Sequence, residues 1–282
     1  MGEATKVADG ITQKFQHGVM YWSQQTGAAA VHGANLDEYI SLGGPISQLG
    51  WPLANEQPLA GGVYQDFQGG KIYWSANSGA HAVTSAFLVK YAALNWQLGT
   101  LGWPTGDFTS LTGGGSQQFQ GGTLYTSANG TFSVHGGIRD TYVNEGSRNG
   151  ALGFPTSDEV PAARGGAYQN FQGGIIYWTP GVGAYTIHGA IHDEWASLGA
   201  DKSYLGYPTS NEIPSTDGRV YQNFQGGTIY WAPGVGAYTI HGAIHDEWAS
   251  LGADNSYLGY PTSNEIGTVN GGTFQNYQGG TI

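Results

Sequence analysis

The sequence predicts a mainly β protein with short helices, arranged as a closed five-fold repeat array that is propeller-like, with an open β-solenoid as the alternative. Three observations predict it. A Phe-Gln hairpin motif recurs at intervals of 52 or 53 residues, beginning at Phe15, Phe67, Phe119, Phe171 and Phe224. Each copy holds short aromatic and β-branched runs between glycines, and both chain ends carry parts of one hairpin. A unit of this size cannot bury both faces of a sheet by itself, so the units must pack on one another.

The period is most evident in two stretches, 168–212 and 221–265, which differ at only three aligned positions. Looser versions of the same unit fill the preceding sequence. We therefore predict a single repeat domain over residues 1–282 and number its repeats in chain order. The predicted repeats span residues 9–60, 61–112, 113–164, 165–217 and 218–270, followed by a partial closing unit at 271–282.

Each repeat is predicted to begin with a β-hairpin. In repeat 4, aromatic and β-branched residues between 168 and 178 flank Gly173 and Gly174, and glycine tolerates the positive φ of a tight hairpin turn. Pro180 and Gly181 then break the strand. A third strand is predicted at 183–188, because its side chains would alternate between two faces.

A short helix is predicted after the third strand. Ile191, Trp195 and Leu198 form one apolar stripe at helical spacing. Gly199 follows directly and is a suitable C-terminal stop. Each repeat is therefore expected to contain three strands and one helix.

The chain ends favour closure of the array. The first hairpin has an irregular first strand, and the last hairpin stops shortly after its turn. We expect a composite unit in which Thr273–Gln278 pairs with Gly18–Trp22. Such pairing would hide the edge strands that an open array exposes.

Composition excludes two classes of partner. Only 10% of the residues are charged, and the net charge is −11 with nine Lys and Arg. Nucleic-acid binding needs clustered basic side chains that neutralise phosphates, so no nucleic-acid partner is predicted. No window approaches the roughly 18 consecutive apolar residues of a transmembrane helix, so no membrane insertion is predicted.

The sequence contains no recognisable catalytic constellation. It lacks cysteine and the G-x-S-x-G, G-x-G-x-x-G and Walker motifs. Its carboxylates recur with the repeat and do not form the single pair that a glycosidase needs. We therefore predict no catalytic residues, no cofactor and no enzymatic activity.

A tetrapeptide of Leu, Gly, an aromatic residue and Pro recurs in every repeat. Glycine permits a close turn and proline fixes φ, so the motif itself is interpreted as structural. In repeat 3 it reads L-G-F-P and precedes T-S-D-E. The five copies are Leu49–Pro52, Leu101–Pro104, Leu152–Pro155, Leu205–Pro208 and Leu258–Pro261. Through these motifs, over nearly its whole length, the chain resembles the LGFP-repeat family.

The resemblance implies a bacterial, mostly actinobacterial, protein that is extracellular or bound to the cell wall. In that family the repeats often follow mycolyltransferase, esterase or peptidoglycan-hydrolase domains and are thought to hold them to the wall. It therefore implies a fused or partner enzyme domain. It also implies a cell-wall glycan as ligand, of the arabinogalactan or peptidoglycan type.

Adjacent Tyr and Trp residues at the end of each hairpin are the first candidates for ligand binding. Neighbouring strand residues point to opposite faces, so one ring can pack inward while the other faces a groove. Flat rings beside polar groups suit a neutral glycan; the alternative is that both rings belong to the core. Repeat 3 lacks the Trp and has Thr126 there. The candidates are Trp22, Trp74, Tyr177, Trp178, Tyr230 and Trp231.

A strand histidine and a loop glutamate are the second group of candidates. They are His188 with Glu212 in repeat 4, and His241 with Glu265 in repeat 5. Both could bind sugar hydroxyls. Alternatively, the glutamates stabilise turns and the histidines donate to loop carbonyls.

A metal site is the third possibility, because His188 and His192 are four residues apart, as in helical zinc sites. Other repeats, however, carry Leu36 or Arg139 at the position of His192. We therefore predict no metal.

Together these patterns predict a non-catalytic, lectin-like module of the cell envelope that recognises wall polysaccharide at several sites. The alternative is a structural or protein-interaction scaffold that anchors or docks a partner domain. Repeats 4 and 5 hold the complete set of candidates and should bind best. Several weak sites suit a repetitive polymer because simultaneous engagement multiplies their affinity.

Overall fold

The computed structural model describes residues 2–215 and 218–282. In this part of the chain the protein is mainly β, with short helices and five four-stranded antiparallel sheets, one for each repeat. The strands of each sheet follow one another in chain order. The chain divides into an N-terminal part, residues 1–136, and a C-terminal part, residues 137–282.

The first three repeats have the same order of elements, with a helix after the fourth strand. Their elements are β1 (Thr5–Val7), β2 (Gly10–Phe15), β3 (Gly18–Ser23), β4 (Gly27–His32), α1 (Gly33–Ser41), β5 (Gln57–Leu59), β6 (Gly62–Phe67), β7 (Gly70–Ser75), β8 (Gly79–Thr84), α2 (Ser85–Ala93), β9 (Thr109–Leu111), β10 (Gly114–Gln118), β11 (Gly122–Ser127), β12 (Gly130–His135) and α3 (Gly136–Asn144).

The remaining repeats continue this order. Their elements are β13 (Val160–Pro161), β14 (Ala167–Phe171), β15 (Gly174–Thr179), β16 (Gly183–Ile187), α4 (Gly189–Ser197), β17 (Ile213–Pro214), β18 (Val220–Phe224), β19 (Gly227–Ala232), β20 (Gly236–Ile240), α5 (Gly242–Ser250), β21 (Ile266–Gly267), β22 (Thr273–Phe274), β23 (Asn276–Tyr277) and β24 (Gly280–Thr281).

The hairpin, third strand and helix lie where the sequence predicts them, but each sheet has one more strand than expected. The additional strand comes first in each sheet and pairs with the first strand of the hairpin, as β13 does with β14. It is only two or three residues long and often contains proline. Such a segment has no alternating pattern, so only its pairing identifies it as a strand.

The Gly-Gly turn of the hairpin packs closely on the preceding repeat. A Cβ atom on Gly173 would lie 2.0 Å from the carbonyl oxygen of Ala151. No other residue fits this contact without moving the backbone. The first glycine of the turn is therefore required by packing between repeats as well as by the turn itself.

Aromatic side chains on the helices form the core between successive sheets. Tyr39 on α1 contacts Tyr21 of its own sheet at 5.1 Å between ring centroids, and Phe67 of the next sheet at 4.6 Å. In the C-terminal part, Trp195 on α4 lies 5.9 Å from Phe224 of the following sheet. Helices α1 and α4 thus each bury one face against their own sheet and the other against the following sheet.

The glycine carbonyl of the Leu-Gly-aromatic-Pro motif accepts a hydrogen bond from the buried aromatic side chain on the helix. Trp195 donates its indole N–H to the carbonyl oxygen of Gly206 at 3.0 Å, and Tyr39 donates its hydroxyl to that of Gly50 at 2.7 Å. Gly206 has a φ of +64°, and a Cβ there would lie 2.5 Å from Oε1 of Gln225. The motif is structural because it satisfies the polar end of a buried aromatic ring.

In repeats 1, 2, 4 and 5, a side chain from the loop after the helix and a glutamine of the following hairpin cover the open edge of the sheet. The Thr186 N–H, on edge strand β16, donates to Oδ1 of Asn211 at 2.9 Å, and the Thr186 carbonyl accepts from Nε2 of Gln222 at 2.8 Å. These amides replace a neighbouring strand, so the edge offers no free pairing groups at this point. The residues bound in this way include Ala30, Ala82, Thr186 and Thr239.

The predicted pairing of Thr273–Gln278 with Gly18–Trp22 is wrong. The segment Gly18–Trp22 belongs to β3, which pairs with β2 on one edge and with β4 on the other. Its backbone groups are therefore already used. Thr273–Phe274 pairs with Ile266–Gly267.

Candidate functional site

The predicted Tyr-Trp pairs separate across the sheet. Tyr21 is 4% exposed and belongs to the core, whereas its neighbour Trp22 is 42% exposed. Tyr177 is also buried, and its ring lies 4.8 Å from Trp195 in an edge-to-face contact. Tyr230 is partly buried in the equivalent contact with the helix tryptophan of repeat 5. The tyrosines are therefore core residues, and the tryptophans hold the surface positions.

Trp74, Trp178 and Trp231 are partly exposed, because the preceding helix covers part of this face. Trp178 lies against the beginning of α3, where a Cβ on Gly137 would lie 2.8 Å from the indole ring. Trp231 packs on the edge of the core that contains Trp195. Each ring is thus fixed in place on one side and open on the other.

The surface beside Trp22 has the shape of a shallow binding site. A pocket of about 310 Å³ is lined by Trp22, Ile11, Lys6 and Asp9, among others. Asp9 accepts a hydrogen bond from the indole N–H of Trp51 at 2.8 Å, which fixes its carboxylate beside the pocket. A flat ring therefore lies beside both an amine and a carboxylate.

The predicted His and Glu residues contact each other. His188 Nδ1 lies 3.3 Å from Oε1 of Glu212, and His241 Nε2 lies 3.4 Å from Oε1 of Glu265. Burial raises the pKa of Glu212, and the nearby imidazole of His188 partly opposes this. The two residues are 24 positions apart in sequence in each repeat, so their association comes from the fold.

Repeat 2 lacks both residues of this contact. Thr84 and Phe108 occupy the aligned positions there. Phe108 contacts Phe87 of α2 at 5.7 Å between centroids, so an aromatic contact takes the place of the polar pair. In repeat 1, Glu56 accepts instead from Nδ2 of Asn35 at 2.8 Å.

The structure places the two predicted groups at opposite ends of each sheet. Trp178 pairs with Ala184, whereas His188 comes directly after Ile187, which pairs with Ile175. About four residues of extended strand, roughly 13 Å, separate the two ends. The candidate residues therefore form two surfaces, one with tryptophans and one with His-Glu pairs.

Residues that the sequence analysis did not select complete the His-Glu surface in repeat 5. A polar groove of about 490 Å³ is lined by Thr209, Asn223, Thr228, His241 and His245, among others. Its walls offer amide, hydroxyl and imidazole groups. Asn223 and Thr228 lie on either side of the hairpin turn and pair with each other, but nothing in their local pattern indicates that they face a groove.

The two histidines considered for a metal bind different carboxylates. His188 contacts Glu212, whereas His192 contacts Asp193 through Nδ1 at 3.1 Å. Across residues 2–215 and 218–282, no group of three or more His, Cys, Asp or Glu side chains is placed to hold a metal ion. In the same part of the chain, no helix is long and apolar enough to span a bilayer.

Among solved structures, the chain aligns with an extracellular domain described as part of a hybrid two component system, BT3049, from B. thetaiotaomicron, at 10% identity and a TM-score of 0.17. A second alignment, with the extracellular domain of a one component system, BT4673, from the same organism, has 11% identity and a TM-score of 0.16. Both cover 99% of this chain but only 32% and 33% of those chains, so this chain spans about a third of their length. Alignments at these TM-scores carry no argument about fold or function.

No curated protein matches the chain. The family model of the LGFP repeat, in contrast, matches it five times in succession. The matched residues are 1–47, 49–99, 101–150, 152–203 and 205–256. These matches cover most of the chain and coincide with its sheet-and-helix period. The chain therefore belongs to the LGFP-repeat family.

Proposed function

We propose that this chain is an extracellular, non-catalytic module of the cell envelope that binds wall polysaccharide through several weak sites. The observation that carries the proposal is the recurrent position of Trp22, Trp74, Trp178 and Trp231. Each follows a core tyrosine on the third strand of its sheet and keeps part of its ring accessible. Repeated sites of one kind suit a ligand that is itself repetitive.

The surface beside Trp22 supports this chemistry most directly. A sugar ring can stack its C–H face on the indole while its hydroxyls accept from Lys6 and donate to Asp9. The Trp51 indole already binds one carboxylate oxygen of Asp9. The second oxygen is therefore held in position for a ligand.

The polar groove around His241 supports a second type of contact. Its amide, hydroxyl and imidazole groups can exchange hydrogen bonds with sugar hydroxyls, and it lies at the other end of the sheet from Trp231. A monosaccharide cannot reach both ends, whereas a polymer can. We therefore propose that arabinogalactan or a peptidoglycan-type glycan is the ligand, and that short fragments bind much less tightly.

Avidity sets the expected affinity. A single exposed ring with a few hydrogen bonds gives a site of about millimolar affinity, or about −4 kcal/mol. Engagement of several such sites by one polymer increases the apparent affinity by roughly 10²–10⁴.

A closed, propeller-like array would place the sites around a ring, and an open solenoid would place them in a row. Small-angle scattering distinguishes the two arrangements.

A co-sedimentation assay with insoluble wall polysaccharide tests the proposal. The wild-type chain is expected to bind, single Trp22→Ala and Trp231→Ala variants to bind several-fold less, and the double variant to lose most of its binding. Thr126→Ala is the matched control, because repeat 3 has no tryptophan at that position. Folded wild-type protein that binds neither arabinogalactan nor peptidoglycan would overturn the proposal.

A second candidate function, docking of a partner domain, is favoured by the outer face of the first sheet. Phe15 and Met20 are 44% and 37% exposed there, whereas the aligned Phe67 and Ile72 are 3% and 0% exposed beneath α1. The face therefore fits a partner that presents an aromatic side chain on a helix, as Tyr39 does toward Phe67. In that case a Phe15→Ser, Met20→Ser variant would lose binding to a fused or partner enzyme domain and retain binding to polysaccharide.

A further inference from the structure

The junction between repeats 1 and 2 contains a pocket that neither group of predicted residues includes. Its volume is about 440 Å³, which is within the usual range for sites that bind small molecules. The apolar side chains that line it are Leu42, Ile46, Leu49, Ala82 and Phe108, and the polar ones are Ser47, Gln48, Thr84 and Asp107. None of these described lining residues is basic.

The junction between repeats 4 and 5 shows why this pocket is open. Tyr204 occupies the position that aligns with Gln48. Its ring lies 4.5 Å from the imidazole of His241, and its hydroxyl is 3.0 Å from Oγ1 of Thr239. Between repeats 1 and 2 the corresponding residues are Gln48, Thr84 and Ala82. Tyr204, His241 and Thr239 fill this space between repeats 4 and 5. Between repeats 1 and 2 the smaller or non-aromatic side chains at the aligned positions leave it open.

A carboxylate lies at the polar end of the pocket. Asp107 aligns with the asparagines that cover sheet edges in other repeats, and its Oδ1 accepts the Ala82 N–H at 3.0 Å. Burial alone would raise its pKa, but hydrogen bonds from His81 and the Ala82 N–H hold the pKa of Asp107 below its usual value. The Asp107 side chain is 37% exposed, so a charged carboxylate can take a further partner.

A second carboxyl group faces Asp107. Glu38 on α1 lies beside it, and Oε1 of Glu38 is buried without a hydrogen-bond donor. The equivalent residue in repeat 4, Glu194, accepts a hydrogen bond from Nδ2 of Asn264 at 2.7 Å. An ionised Asp107 cannot donate in this way, so Oε1 of Glu38 lacks the amide donor that Asn264 supplies to Glu194, and the pKa of Glu38 is raised.

We propose that this pocket binds a small organic cation with an apolar body, whose ammonium group contacts Asp107 while its body packs against Leu49 and Phe108. The ammonium group donates to the Asp107 carboxylate, which is 37% exposed and can accept a bond beyond those from His81 and the Ala82 N–H. The apolar walls remove the body of the ligand from water. The acidic balance of the chain, at net −11, favours the approach of a cation.

Amide NMR of the full chain tests the proposal with benzylammonium chloride as the probe and benzyl alcohol as its neutral match. The Ala82 amide is the reporter, because it donates to Asp107. Benzylammonium is expected to shift this amide in a saturable way and to bind at least tenfold more tightly than benzyl alcohol. Equal affinities for the two probes, or no saturable shift at Ala82, would overturn the proposal.

Two variants locate the binding. Gln48→Tyr places the Tyr204-like ring in the pocket and is expected to weaken benzylammonium binding at least tenfold. Thr100→Tyr, the same change at the aligned position one repeat later, is the control and should leave binding unchanged. Asp107→Asn should make the affinities for the cation and the alcohol similar. Unchanged preference for the cation in Asp107→Asn would contradict the assignment, whether or not Gln48→Tyr folds.

Discussion

Tyr277 donates its hydroxyl to Oε1 of Gln275 at 3.3 Å, deep in the contact between the last two hairpins. In the aligned pair of repeat 5, Phe224 replaces the tyrosine, and Oε1 of Gln222 is buried without a partner. Both glutamines use Nε2 to hold the edge of the preceding sheet. One hydroxyl group therefore decides whether this buried amide is fully satisfied.

Phe224→Tyr is expected to stabilise the protein. The new hydroxyl would satisfy Oε1 of Gln222 as Tyr277 satisfies that of Gln275, and one such bond contributes about 1 kcal/mol to the free energy of unfolding. Tyr277→Phe should destabilise the chain by a similar amount. Urea denaturation measures both changes. A loss of stability in Phe224→Tyr would show that the ring cannot accept the hydroxyl in this position.

Gly206→Ala should destabilise the protein more than Gly181→Ala. Both glycines have positive φ, which costs an alanine roughly 1 kcal/mol. Only at Gly206 would the added Cβ also meet another atom, Oε1 of Gln225, at 2.5 Å. Thermal denaturation of the two variants separates the conformational cost from the steric one. Similar melting temperatures would mean that Gln225 moves aside freely.

Stability is expected to fall as pH rises from about 4.5 to about 7 because of Glu38. Burial, followed by the neighbouring Asp107 carboxylate, raises the pKa of Glu38 from 4.5 to about 7. In this window the unfolded chain has released the proton and the folded chain retains it, so deprotonation favours unfolding. The pKa of His81 is also raised, chiefly by its hydrogen bond with Asp107. The stability that protonated His81 contributes is therefore likewise lost as pH rises through the raised pKa of His81.

Glu38→Gln should remove the Glu38 part of this pH dependence. The variant is expected to be more stable than wild type at pH 8 by on the order of 1 kcal/mol, after allowance for solvent screening of a partly exposed group. Glu194→Gln is the control. Its carboxylate accepts from Asn264, so its loss should destabilise the protein at pH 8. An unchanged slope of stability against pH in Glu38→Gln would contradict the role of Glu38.

Thr126→Trp should strengthen polysaccharide binding. Thr126 occupies the position in repeat 3 at which the other repeats have tryptophan, so the change adds one more ring to the set. The expected gain is several-fold for a polymer and small for a monosaccharide, because the gain comes from avidity. Co-sedimentation measures binding to the polymer, and titration measures binding to the monosaccharide. Thr126→Val is the control for removal of the hydroxyl, which accepts from Thr131 at 3.0 Å.

The element types followed closely from local pattern. The stripe of Ile191 and Trp195 predicted α4, and the aromatic run before and after Gly173 predicted the hairpin, because both periods are properties of a single segment. The short first strand of each sheet was missed because it has no period and forms only by pairing. The composite closing pair was wrong because β3 already has a neighbour on each side.

The candidate site was predicted only in part. The contact of His188 with Glu212 links a residue at a strand end to one in a loop. Its only trace in the sequence is the joint absence of both residues from repeat 2. The separation of Trp178 from His188 depends on strand direction and register. Asn223 and Thr228 pair across the hairpin and line the polar groove together with His241, which comes from the neighbouring strand end.

The sequence by itself determined the repeat, its period, the turns that glycine and proline require, and the residues that can form a core. These depend on backbone conformation and on the alternation of side chains, which act over a few residues. Only the tertiary structure decided which ring of each Tyr-Trp pair is buried, which amides cover each sheet edge, and that Gln48 and Thr84 leave a pocket where Tyr204 and His241 fill one. These depend on contacts between side chains in neighbouring repeats, far apart in sequence, and each contact is set by how one sheet packs on the helix before it.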